Sequence, residues 1–142
     1  MLSYELSAIV DAVISTIKPG ALAEEQVQQL RAIFPDTLLL AALDIVDRDS
    51  VIKFNTPWGY SCFEVLGSTG TYTIFPNLNL TPSAKGAAYC TCPAFAYAVL
   101  ISESHVTCKH VLATRIAVQM SRCIERPVTQ DGLAAILVRQ CA

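Results

Sequence analysis

Cys90, Cys92, Cys108 and His110 are spaced as Cys-x-Cys, fifteen residues, Cys-x-His, and this pattern constrains the 142-residue chain more than any other feature. Zinc takes four thiolate or imidazole ligands at the corners of a tetrahedron, and two close pairs separated by an element that folds back build that geometry. In an extended segment residues i and i+2 point the same way, so Cys90 and Cys92 can offer both sulfurs to one ion. On an ideal helix i and i+2 lie about 200° apart, so Cys108 and His110 cannot share one face of a regular helix. Cys108 is therefore expected just ahead of a helix and His110 in its first turn, with Thr107 as the cap. Pro93 is expected to start an intervening helix after the first pair.

Three thiolates and a neutral imidazole fill all four positions and leave none for water, which makes the expected single Zn2+ structural and not catalytic. The alternative is four ordinary buried residues, since free cysteine behaves as a small hydrophobe. Cys62 in a strand, Cys123 on an apolar helical stripe with Leu112, Ile116 and Met120, and Cys141 at the terminus read as core or surface thiols. His105 reads as a loop histidine or a substitute ligand.

The hydrophobic periodicity divides the chain into three stretches. Residues 1–50 read as helices: Ser3 to Lys18, closed by Pro19-Gly20; about Leu22 to Phe34, closed by Pro35; and Asp36 to about Val46. The last is apolar nearly all round and must be covered by its own fold or another chain. From Val51 the period changes to two, giving strands Val51–Asn55, Tyr60–Leu66 and Thr71–Phe75 in an antiparallel meander. Pro76 to Ala88 reads as a loop. Helices are expected again from Pro93 to about Glu103, Lys109 to about Glu125, and Thr129 to Gln140, with Thr129 as N-cap. The expected fold is α+β: N-terminal helices, a small meander, a zinc site closing around a helix, and C-terminal helices. The corresponding division is 1–50, 51–126 and 127–142.

Composition sharpens the question of partners. Hydrophobic residues make up 53% and charged residues 15%, against about 45–50% and about 25% in an ordinary soluble domain. Apolar runs such as Leu38 to Leu43 are far short of the ~20 residues of a spanning helix, so no membrane role is expected. The N-terminus reads as neither a secretory signal nor a transit peptide, which is consistent with reduced cysteines. Residues 1–50 hold three basic and eight acidic side chains, and residues 51–142 hold seven and four. Any nucleic-acid contact is therefore expected in the C-terminal part, where Arg115, Arg122 and Arg126 would form a stripe on the helix after the zinc site. The excess apolar surface is expected to serve a partner, with Leu38, Leu39, Leu40 and Leu43 and the first helix as the dock. No G-x-x-x-x-G-K-[ST] loop is present and no catalytic set stands out, so an enzyme with a small-molecule substrate is not expected.

The spacing of Cys90, Cys92, Cys108 and His110 resembles the SWIM-type zinc finger. The runs Ala42 to Arg48, Val65 to Ser68, Thr71 to Thr73, Tyr89 to Ala96 and Cys108 to Ala113 narrow the resemblance to the SWIM-domain subunit of the Shu complex. The match covers roughly Leu38 to Ala117, with a longer Pro76 to Ala88 connection than the family's. The resemblance implies a nuclear, non-enzymatic accessory factor of homologous recombination. It would pair with a RecA-like recombinase paralogue and promote or stabilise recombinase filaments on single-stranded DNA. It also implies zinc ligands at Cys90, Cys92, Cys108 and His110, and Ala94 as a small residue packed against the zinc loop. The alternative is a free-standing SWIM-type DNA-binding module.

Overall fold

A computed structural model of the chain describes residues 4–67, 70–76, 88–102 and 107–141. The N-terminal part contains α1 (Tyr4–Ser15), α2 (Glu24–Ile33) and α3 (Asp36–Asp47). Each ends close to where periodicity and proline place it. Gln26 caps α2, accepting from the Ala23 amide at 3.0 Å and donating to the Thr16 carbonyl at 2.6 Å, which fixes the α1–α2 corner. Gly20, at φ 99, turns the chain there. Its amide donates to the Met120 carbonyl at 3.1 Å.

Strands β1 (Val51–Asn55), β2 (Ser61–Leu66) and β3 (Thr71–Phe75) form the expected antiparallel meander. The sheet is larger than that meander. β4 (Tyr89–Cys90) pairs antiparallel with β3, and β5 (Ile124–Pro127) pairs parallel with β1, giving the order β4-β3-β2-β1-β5. Directly opposed residues share a face. Val51, Phe63, Val65, Tyr72, Ile74 and Cys90 therefore face one way. All of these except the partly buried Tyr72 are buried in the core.

Helix α4 (Lys109–Met120) is the hub of that core. Eight of its twelve residues are buried, from His110 to Met120. It packs against α3, α1 and the sheet. The core runs without a break from Val10, Ile14 and Leu30 through Leu39 and Val46 to Val51, Val65, Leu112 and Ile116. One core thus spans the stretches 1–50 and 51–126, and β5 runs across residues 126 and 127.

Helix α4 stops at Met120, five residues before the expected end. Ser121 adopts the left-handed conformation (φ 57), and the Arg122 amide returns to the Ala117 carbonyl at 2.9 Å. The outer edge of β1 then offers backbone partners to Ile124–Pro127, a gain that local helix propensity does not register. Pro127 is tolerated because β5 is an edge strand. Helix α5 (Gln130–Cys141) follows, and Thr129 caps it by accepting from the Gly132 amide at 3.0 Å. The expected loop over residues 77–87, and His105, lie outside the described residues. No helix among the described residues is long and apolar enough to cross a membrane.

Ser121 holds a conformation that costs an L-residue more than glycine. Ser121→Gly is expected to raise stability by about 0.5–1 kcal/mol, read as a higher urea midpoint with an unchanged slope.

Candidate metal centre

The zinc-ligand candidates converge from two elements. Cys90 lies in β4 opposite Ile74, and the Thr91 amide continues the pairing by donating to the Thr73 carbonyl at 3.1 Å. The chain stays extended through this pair, which puts Cys90 and Cys92 on one side, as the i, i+2 spacing requires. Cys108 precedes α4 in an extended conformation (φ −96, ψ 168), and His110 is the second residue of the helix. Thr107 is not the cap. Cys108 caps the helix itself, its Sγ accepting from the Val111 amide at 3.5 Å. The Cys92 Sγ likewise accepts from the Phe95 amide at 3.2 Å, where the chain turns helical again. Both sulfurs thus satisfy amides at a helical start, an arrangement that favours thiolates.

The element between the pairs is helical from Pro93, as expected, but is wound as a π-helix over Phe95–Ile101. Ala94 is exposed at its start and lines one cavity with Cys92, Pro93 and His110.

One candidate ligand atom from each of the four residues lies within 4.8 Å of the other three. All four residues are buried, none more than 4% exposed. The Tyr72 ring lies against the His110 imidazole, centroids 4.6 Å apart and planes tilted by 40°. His110 Nδ1 is buried without a hydrogen-bond partner. A polar atom left unsatisfied in a dry interior needs an explanation, and a cation held by the cluster supplies one. The three sulfurs point to the same conclusion. Hydrogen bonds from Cys108 and Cys90 hold the Cys92 thiol well below its usual range. Hydrogen bonding with Cys108 and Cys92, with burial, raises Cys90. Cys108, stabilised by Cys90 but opposed by Cys92 and burial, is pushed up to about 11. Without a cation the cluster therefore favours one thiolate shared among three sulfurs, and a divalent ion reverses that preference. Four buried N and S donors with no carboxylate among them fit Zn2+. The chain thus carries a Cys/Cys/Cys/His cluster able to hold one zinc ion.

The remaining cysteines stand apart from it. Cys62 is fully buried in β2, and burial raises its thiol. Cys123 lies beyond α4, half-buried against the core, and burial pushes its thiol up to about 11. Raised thiols of this kind are unreactive. The Cys141 side chain lies outside the described residues.

The other sequence-derived faces are rearranged. Because α4 ends at Met120, Arg115, Arg122 and Arg126 do not form one helical stripe. Arg115 pairs with Asp11 of α1. Arg122 lies past the helix and binds Asp49 at 3.0 Å and Asp47 at 3.5 Å, at the end of α3. Arg126 is exposed on β5. The leucines of α3 are divided too: Leu39 is buried, Leu38 and Leu43 pack against the core, and only Leu40 is exposed, at 66%. Sequence reasoning missed the exposed π-helical residues Tyr97, Leu100 and Ile101. The absence of any charge from Pro93 to Ser102 is the signal that marks them.

A SWIM zinc finger family model matches residues 72–118, which contain all four ligands. Zinc finger SWIM domain-containing protein 7 of Homo sapiens is 30% identical over 95% of this chain and 94% of its own length. The Danio rerio protein of the same name is 36% identical over 75% and 78%. The Mus musculus one is 34% identical over 73% and 70%. No solved structure gives a significant match.

Cys90→Ser is expected to drop the zinc content from about one ion per chain to near zero, with a large loss of thermal stability. Cys62→Ser should keep the zinc, a contrast that native mass spectrometry reads directly.

Proposed function

The chain belongs to the family of zinc finger SWIM domain-containing protein 7, and from that premise we propose that it is a non-enzymatic subunit of a Shu-type complex. In this reading it pairs with a RecA-like recombinase paralogue in the nucleus and promotes or stabilises recombinase filaments on single-stranded DNA during recombination repair. The observation that carries the reading is similarity along nearly the whole chain, together with a buried cluster of four donors able to hold one ion. A centre of that kind organises the fold and leaves the chemistry of ATP to another subunit.

The surface supports a partnered state. Leu40, Tyr97, Leu100 and Ile101 are each more than half exposed. The arginines that a DNA face would need are partly engaged, Arg115 and Arg122 in ion pairs with acidic residues of the N-terminal part. This favours DNA contact through the complex over a free-standing DNA-binding module.

Affinity purification of the tagged full-length chain from its own cells is expected to recover a RecA-like ATPase in near-stoichiometric amount. Cys108→Ser should abolish the recovery by disordering the zinc region. A wild-type chain that is monodisperse alone, recovers no ATPase and binds single-stranded DNA with strong salt dependence would show instead the free-standing module.

A further inference from the structure

Glu64, in the middle of β2, is a buried charge that the zinc centre does not use, only 6% exposed. Strand register sets it opposite Ile52 on one side and Thr73 on the other. It therefore lies on the sheet face turned away from α4, together with Cys62 two residues earlier. Cys62 and Thr73 are wholly buried, and the Thr73 hydroxyl has no hydrogen-bond partner. A carboxylate in such surroundings is costly unless a cation meets it.

That cation comes from the C-terminal helix. Arg139 of α5 pairs with Glu64 while its own side chain stays 57% exposed. Elsewhere among the described residues of α5, Gly132 and Leu133 are half-buried. Ile136 is its one buried residue among those described, whereas Leu137 is 40% and Val138 69% exposed. Helix α5 is thus tethered at one end by the short Val128-Thr129 link to β5 and clamped near the other by an aliphatic residue and an arginine three positions later.

We propose that α5 is an exchangeable latch over a docking site for an amphipathic helix of a partner protein. The docked helix presents an aliphatic side chain followed, three residues on, by arginine or lysine, which takes the place of Arg139 on Glu64. Charge complementarity selects this occupant: the outer face offers one buried carboxylate, and α5 displays the kind of helix that satisfies it. A swapped α5 from a second copy fits poorly, because the two-residue link cannot carry the helix to another molecule without breaking β5. The proposal does not depend on the recombination reading, since Glu64 and α5 lie outside the zinc cluster.

Hydrogen exchange on the full-length chain tests the latch. Arg139→Gln leaves Glu64 buried without a cation, so α5 should lift to let water in, its amides exchanging at least about tenfold faster while those of β1–β3 stay protected. Adding Glu64→Gln removes the charge that demands water. The double variant should therefore restore α5 protection to within about threefold of the wild type. Unchanged α5 exchange in Arg139→Gln, or a double variant that exchanges as fast as the single one, overturns the latch. For the docking site, a fluorescent peptide with the sequence of residues 128–142 is titrated into the Arg139→Gln chain. It should bind at least about tenfold more tightly than to the wild type, whose own helix competes. The same peptide carrying Arg139→Gln should not bind. Equal binding by both peptides, or by neither, overturns the docking site.

Discussion

The fold depends on the junction that Cys90, Cys92, Cys108 and His110 make between the edge of the sheet and the start of α4. One pair comes from the end of a two-residue strand, the other from the first turn of the most deeply buried helix. Strand β4 is too short to hold that edge alone, and the π-helical segment after it exposes much of its apolar surface. Coordination of an ion by the four residues would substitute for the missing packing. Because α4 touches α1, α3 and strands β1 to β4, an ion held at its N-terminus would anchor the element on which these others pack.

Much of this was legible in the residues. The i, i+2 spacing required an extended chain at Cys90 and a helix boundary at Cys108, and both are found. The three meander strands follow the period-two pattern closely, and the first two helices end ahead of Pro19 and Pro35. What was not legible depends on long-range pairing. Residues 121–125 continue a good helical pattern, yet the unpaired edge of β1 takes Ile124–Pro127 into the sheet. That displacement dissolves the apparent arginine stripe and sends Arg122 to Asp47 and Asp49. The all-round apolar character of α3 likewise has two readings in a sequence, and only packing against α4 decides that Leu39 belongs to the core and Leu40 to the surface.

The high apolar content is thereby divided into two parts. Most of the N-terminal apolar residues, including Val10, Ile14, Leu30 and Leu39, are consumed by the single core. The exposed remainder includes Ile9 and Leu40 of the N-terminal helices, Tyr97, Leu100 and Ile101 on the uncharged zinc-loop helix, and Leu137 and Val138 on α5. Surface of this kind, on a chain with few charges, supports the partnered state proposed above. The acidic N-terminal part also has an internal role, with Asp11, Asp47 and Asp49 neutralising Arg115 and Arg122 and welding the helices to the region after the zinc site.

The central claim is that one zinc ion is held by three sulfurs and one nitrogen with no position left open. X-ray absorption at the zinc edge of the purified full-length protein tests it most directly. The account predicts a first shell of three sulfurs at about 2.3 Å and one nitrogen at about 2.0–2.1 Å. An oxygen in that shell, or a shell with equal numbers of sulfur and nitrogen, would contradict it.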